Sequence, residues 1–414
     1  MSIPIRIAMV AFAASPLPPA AGGQPPGQSM QVVALSRAMA ALGHDVTIYS
    51  RLDNPAAPGC LPLAHGVELR QLPAGGAAPI AAGDLVPLVA EFGHGLSDAF
   101  AADTPDLIHA HSWTSGLAAL QATRDRSVPL VQTFHGLGAV QPQPVRADES
   151  NMAQRVRMEA VIGRAAARVV ASCDDESQGL RRMGVSWRRI NIIPPGIDLD
   201  TFYPSATDAA PSTVPRLLTV GTLAEPGGMA DQIRALAKLP GAHLTIAGGP
   251  PAAELAEDPD ARRLLGLAHA LGVARRVDFV GFVPRSRIAE LLRTVDMLLC
   301  TPWAPTFGVV ALEAMASGVP VIATAVGGMR DTVVPGVTGE LIAPRAPTEL
   351  AHAIRRLFHD PVRLQAYRFA AVDRARSAFS WERAAVSTEM IYRQILGIPE
   401  SPTAVSQPPS QVAS

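Results

Sequence analysis

Gly308 stands directly before an apolar series, Val309, Val310, Leu312 and Ala316, that recurs at helical spacing. A helix opening there turns free backbone N–H groups and the positive end of its dipole toward whatever lies beyond the glycine. The chemistry this supports is the binding of an anion such as a phosphate. Phe307 and Val309 flank the turn, and Glu313 puts a carboxylate one turn into the helix. An ordinary helix with an exposed glutamate is the plainer alternative. His135 is a second candidate, because it follows an apolar run and enters a glycine-bearing loop, "VQTFHGLGAVQP". A lone histidine is commonly structural, so its neighbours decide. His111 closes "LIHAH" and is expected in a cleft, whereas His109 is expected to pack within the strand.

Such groups need elements to hold them. Short apolar runs alternate with helical patterns twice along the chain. The first half offers "IRIAMVA", "DVTIYS", "VELRQLP", "DLIHA", "PLVQTF", "ARVVAS" and "INIIP" as strands. "SMQVVALSRAMAALG" reads as a helix ended by Gly43. After the Pro-rich segment "PGIDLDTFYPSATDAAPSTVP" the pattern restarts with "RLLTVG", "HLTIAGG", "VDFVG", "DMLLCT", "PVIAT" and "GELIAP". This alternation predicts an α/β protein with two doubly wound, Rossmann-like domains facing across a cleft, and ligands beyond the carboxyl ends of the strands. "SWERAAVSTEMIYRQIL" reads as an amphipathic helix, and the apolar-poor "SPTAVSQPPSQVAS" as a disordered tail.

With 414 residues the chain can hold two ordinary domains, and 48% hydrophobic with 17% charged residues is a globular composition. A net charge of −1 argues against a general electrostatic grip on nucleic acid or anionic membrane. Lys238 is the single lysine and is expected to face solvent, so any other cation in a site is an arginine. Cys60, Cys173 and Cys300 lie far apart with no CxxC pair, which argues against a disulfide framework or structural zinc and fits a reducing cytosol. The start, "MSIPIRIAMVAFAASPLPPA", could pass for a signal peptide, but reads better as a buried strand and a Pro-rich loop. No apolar run is long enough to span a bilayer. Neither GxGxxG between the first strand and helix, nor HExxH, DxD or GxSxG stands out, so a nicotinamide dehydrogenase fits poorly.

The stretch "TPWAPTFGVVALEAMASGVP" is preceded by "RVDFVGFVPRSRIAELLRTVDMLLCTPW" and followed by "VIATAVGGMRDTVVPGVTGELIAP". "RAMAALGHDVTIYS", "DLIHAHSWTSGLAAL", "TFHGLG" and "INIIPPGIDLDTFYP" come earlier. In this order the motifs resemble the retaining GT-B glycosyltransferases of the family 4-like group, which includes sucrose synthase, mycothiol glycosyltransferase and bacterial mannosyltransferases. The resemblance covers most of Ile5 to Leu396. It implies a nucleotide sugar on the C-terminal domain, an acceptor on the N-terminal domain, and a last helix that crosses back. Phe307, Gly308 and Val309 would receive the donor's diphosphate and sugar, Glu313 the ribose hydroxyls, and His135 the sugar. Gly248, Phe282 and Val283 match positions that contact the base. Arg157 and Glu159 fall where relatives carry acceptor or structural polar residues. Gly27, Gln28 and Ser29 either face the donor or form a helix start capped by Ser29.

The sequence also departs from the family. Pro305 occupies the place of the first of two spaced glutamates, and only Thr306 beside it can offer a weak acceptor. Thr222 and Gly227 stand where the resemblance implies an Arg and a Lys clamping the diphosphate. Arg330 is a candidate substitute. Pro26 follows the displaced pair Gly22 and Gly23. Gln141 replaces a basic acceptor residue of some relatives, which does not support a phosphorylated acceptor.

The resulting expectations are specific. Residues 1–205 form the acceptor domain, 206–378 the nucleotide-sugar domain, 379–397 the returning helix and 398–414 the tail. The chain transfers a sugar, with retention, to a small-molecule, glycan or lipid-linked acceptor. It uses no metal and no cofactor beyond the donor as substrate, has no nucleic-acid partner, and is cytoplasmic, with peripheral contact at the inner membrane face left open. The alternative is a weak or inactive homologue that binds a ligand or partner.

Overall fold

The computed structural model describes residues 3–17, 27–78, 80, 84–138, 149–204, 213–305 and 307–399. The first sheet contains β1 (Arg6–Val10), β2 (Asp45–Arg51), β3 (Cys60–Ala64), β4 (Val67–Leu72), β5 (Leu107–His111), β6 (Leu130–Thr133), β7 (Arg168–Ala171) and β8 (Ile190–Ile192). The second contains β9 (Arg216–Val220), β10 (His243–Ala247), β11 (Val277–Gly281), β12 (Met297–Cys300), β13 (Val321–Thr324) and β14 (Gly339–Ile342). Strand orders are β3-β4-β2-β1-β5-β6-β7-β8 and β11-β10-β9-β12-β13-β14. Every pairing is parallel except β3 with β4.

Parallel strands are covered on both faces, which explains their nearly continuous apolar runs. In β1, Ile7 and Met9 join one apolar cluster while Ala8 and Val10 join the other. In β9, Leu217 and Leu218 likewise face opposite layers. This two-sheet α/β architecture is the GT-B arrangement expected from the sequence. The sequence reading missed β3. It is an antiparallel edge strand carrying Pro62, which an edge tolerates because its N–H side needs no ladder partner.

The helix Trp381–Leu396 begins at Ser380, whose side chain accepts from the Arg383 N–H, and ends at Gly397 with φ 65°. It places Ala385, Ile391 and Tyr392 in the apolar layer of Ile5, Ile7 and Met9. The chain therefore returns to the first sheet after building the second. Where it crosses, the Ile197 N–H donates to the Phe379 carbonyl at 2.8 Å, so the outgoing and returning segments touch.

Candidate functional site

A cleft of about 620 Å³ opens between the carboxyl ends of the two sheets. Its C-terminal wall is made of glycines, prolines and uncharged side chains. Gly308 has φ 78°, a left-handed conformation suited to glycine, and a β-carbon there would collide with Met329. The helix Val309–Ala316 starts at this residue, and Phe307, Gly308 and Val309 all line the cleft. Pro305 and Thr222 line it too, so the departing positions do converge on one place. Gly227 also lines it, in a short 3-10 turn, Glu225–Gly227, where an added β-carbon would collide with the Thr222 carbonyl oxygen. A lysine at 227 is thus incompatible with this loop conformation.

Among the described residues the cleft is lined by no Arg or Lys. Lys238 is exposed. Arg330, the candidate substitute, lies outside the cleft lining and donates from Nε to the Ala325 carbonyl at 2.8 Å. Pro26, Gly22, Gly23, Thr306, Gln141 and the tail from residue 400 lie outside the described residues.

Glu313 is neither exposed nor part of the cleft lining. It is 2% exposed and pairs with Arg285 from the start of the neighbouring helix Arg285–Leu292. Burial pushes its carboxyl up to about 7, against the lowering pull of Arg285. Gly248, Phe282 and Val283 cluster at the ends of β10 and β11, away from the cleft lining. The Gly248 N–H donates to Gly281 at 2.8 Å, Phe282 is exposed, and Val283 packs against an apolar layer. Gly27 is exposed, Gln28 half-buried, and Ser29 buried inside the helix Gly27–Ala41. Gln31, one turn on, reaches the cleft.

The N-terminal wall carries the titratable side chains. His135 follows β6 with φ 58°, unusual for a residue with a β-carbon. Its loop is held by two buried glutamates. Glu176 accepts from the Gly136 N–H at 3.2 Å, and Glu159 from the Gly138 N–H at 2.9 Å. Arg155 ties the same loop down, donating to Glu159 and to the Gly136 carbonyl at 2.7 Å. Glu159 is fully buried, and burial raises its pKa against the counter-pull of Arg155. It positions the loop and does not face the cleft. Arg157 is exposed on the same helix, also outside the cleft lining.

His111 is 2% exposed and absent from the cleft lining, contrary to its expected place. It stacks between His109 and His135, and its Nδ1 lies 2.9 Å from His135 Nε2. His109 is buried in β5 as expected, bonded to Tyr392 and Thr133. Burial lowers His109 to about 3 and His135 to about 4, and holds His111 well below the ordinary histidine range. All three rings are neutral near pH 7.

Asp175 and Glu176 are two cleft residues that the sequence reading did not single out. Asp175 lines the cleft and accepts from the Gly327 N–H of the other lobe at 2.8 Å, while the Asp174 N–H donates to Asp331 at 2.9 Å. Burial raises Asp331. The acidic run "CDDES" at a helix start after a strand was the available signal. Among the described residues, no group of three or more His, Cys, Asp or Glu side chains is placed to hold a metal ion.

Two facing Rossmann-like lobes with a glycine-started helix at the cleft define a GT-B glycosyltransferase. The "Glycosyltransferase Family 4" family matches residues 26–201, and "Glycosyl transferases group 1" matches residues 206–374. The D-inositol 3-phosphate glycosyltransferase 1 of Catenulispora acidiphila is 34% identical over 95% of this chain and 97% of its own. The D-inositol 3-phosphate glycosyltransferase of Nocardiopsis dassonvillei is 32% identical over 95% of each chain. Among solved structures, sucrose-phosphate synthase from Thermosynechococcus elongatus superposes with a TM-score of 0.83 at 29% identity, covering 94% of this chain and 99% of that one. HepE of Anabaena, solved in complex with UDP-glucose, shares the fold with a TM-score of 0.70 at 21% identity, over 95% of this chain and 100% of its own. The chain belongs to these group 1, family 4 glycosyltransferases. No helix among the described residues is long and apolar enough to cross a membrane.

Proposed function

We propose that this chain moves a sugar from a nucleoside-diphosphate sugar to an acceptor hydroxyl, with retention of anomeric configuration. The observation that carries the reading is the helix start at Gly308, which opens into the cleft across from His135. The diphosphate would lie against the N–H groups at the start of Val309–Ala316, and the sugar between Phe307, Gly308 and His135. The base would lie toward Gly248, Phe282 and Val283. Glu313 would take the ribose hydroxyls by exchanging its bond to Arg285. Retention goes with a leaving phosphate that assists the incoming hydroxyl from the same face. Neutral His135 orients a sugar hydroxyl in this scheme. No cofactor beyond the donor is needed.

The relatives are named for a phosphorylated acceptor, D-inositol 3-phosphate. A phosphate on the acceptor would meet like charge, because the described cleft lining carries Asp175 and Glu176 on the N-terminal wall. We therefore assign an uncharged acceptor hydroxyl, on a polyol, a glycan or a lipid-linked sugar. Free thiols at Cys60, Cys173 and Cys300 support a cytoplasmic location.

The missing cations also favour a second reading, a homologue that binds a nucleotide sugar and turns it over weakly or not at all. Removing one preorganised donor from a transition state costs roughly 10²–10³ in rate. Calorimetry with UDP, GDP, ADP and their glucose conjugates tests both readings. It is followed by incubation of the bound donor with inositol or inositol 3-phosphate and assignment of the product anomer by NMR. Binding with turnover onto inositol supports the first reading, and binding without any turnover supports the second. Absence of binding across the panel removes both.

A further inference from the structure

A chamber of about 50 Å³ lies behind the cleft, between the first sheet and the helix Trp381–Leu396. His111, His135, Ser172, Pro195, Trp381 and Thr388 contribute to its walls. That space is large enough to admit water, since a single water needs about 10–15 Å³ of such volume. His111 lines the chamber, is 2% exposed, and has an Nε2 with no hydrogen-bond partner among the described residues. An unpaired buried ring nitrogen is unfavourable unless water reaches it.

The neighbouring bonds define what that nitrogen does. Tyr392 Oη lies 2.6 Å from His109 Nδ1, and His109 Nε2 lies 2.8 Å from Thr133 Oγ1, so His109 is satisfied at both nitrogens. His111 stacks on His109 with ring centroids 4.3 Å apart and on His135 at 5.2 Å. Each neutral imidazole carries one N–H. In the bond between His111 Nδ1 and His135 Nε2, one nitrogen donates and the other accepts. If His111 donates, its Nε2 accepts from the chamber, and His135 keeps its proton on Nδ1. If His135 donates, His111 Nε2–H points into the chamber, and His135 Nδ1 becomes an acceptor. A water can serve either arrangement, because it donates and accepts.

We infer that the chamber is a hydration site whose water bonds His111 Nε2, and that His111 is a positioning residue that fixes the orientation of His135 and, through their shared bond, holds the two rings together in one of these two arrangements. The returning helix forms one side of the chamber, so the far end of the chain builds part of this site. The consequence for transfer rests on the donor-site reading: His135 meets the sugar hydroxyl with one fixed hydrogen-bonding role.

The test is NMR of the full chain labelled with 15N in its histidine rings. The wild type should give His135 one protonated-type and one unprotonated-type ring nitrogen, with water cross-relaxation at His111. In His111→Phe, which keeps a ring in the stack but removes both nitrogens, the two His135 signals should move toward the tautomer-averaged position. In His111→Asn, whose amide stands near the place of Nδ1, the separation should return. Averaged His135 signals in the wild type, no water contact at His111, or an unchanged His135 in His111→Phe overturns the inference. The wild-type measurements decide it even if His111→Phe fails to fold. UDP titrated into the same samples keeps the two readings apart. Loss of UDP binding with His135 still separated removes the donor site alone, whereas UDP binding with averaged His135 removes the His111 role alone.

Discussion

The two walls of the cleft are made of different materials. The C-terminal wall, from Thr222 and Gly227 to Pro305 and Gly308, presents glycine, proline, hydroxyl and apolar side chains. The N-terminal wall presents His135, Asp175 and Glu176, each held by hydrogen bonds to neighbouring groups. The wall expected to meet a diphosphate thus offers only partial charges, while the facing wall carries titratable groups. Dipoles and N–H groups at a helix start can orient an anion, but they stabilise a departing phosphate less than a guanidinium does. This cleft therefore separates the task of placing a donor from the task of neutralising it.

Substitutions that attack one wall sharpen this contrast, and the largest effect belongs to a glycine. Gly228 has φ 76°, and a β-carbon there would collide with the Thr301 carbonyl oxygen under the C-terminal wall. Gly228→Ala should lose about 3–4 kcal/mol in urea unfolding and abolish UDP binding. Gly336, at φ 75° with open space around it, is the control, and Gly336→Ala should lose only about 1–2 kcal/mol. Equal losses would mean that strain alone, not the packing of that wall, sets the cost.

Glu313 comes next. Its carboxyl is raised from an ordinary 4.5 to about 7, so the folded chain holds a proton that the unfolded chain releases between those values. Stability should therefore fall as pH rises through that window, by about 3 kcal/mol at most, and be lowest above pH 7. Glu313→Gln should flatten this part of the curve in urea titrations from pH 4 to 8. Parallel curves for the two proteins would mean that Arg285 keeps the glutamate ionised throughout.

Thr222→Arg restores a cation to the C-terminal wall at an exposed, cleft-lining position. UDP should bind about tenfold tighter by calorimetry, one charge-assisted bond's worth. Unchanged affinity would place the diphosphate elsewhere. The smallest effect is expected where the walls meet. Asp175→Ala removes the bond to the Gly327 N–H and should lose about 1 kcal/mol of stability. Small-angle scattering should then show a wider cleft, and an unchanged profile would assign closure to other contacts.

Much of this was legible in the sequence because periodicity and glycine placement are local signals. The strand runs of the second sheet, the helix after Gly308 and the helix Trp381–Leu396 all follow from apolar spacing with end signals. β3 escaped because "CLPLA" is short, contains a proline and takes its register from β4. The sequence also showed His135, Thr222 and Pro305, which the fold brings to one cleft. It did not show that Glu313 turns to Arg285, or that His111 stacks between two other rings. Those are contacts between distant segments, and no local pattern encodes them. Position 227 illustrates the same limit: the sequence shows a missing lysine, while only the loop's shape shows why a side chain does not fit there.

The returning helix has one more consequence, for the order of biosynthesis. Ile5, Ile7 and Met9 are sealed by Ala385, Ile391 and Tyr392, residues that leave the ribosome only after the entire second lobe. The first lobe to emerge is therefore the last to be completed, and it waits with an apolar face open while the other lobe is made. A fragment cut at the crossover near Ile197 would keep that face open permanently, and should depend on chaperones or aggregate, as incompletely covered sheets do. Translation speed through the second lobe thus sets how long the first must wait.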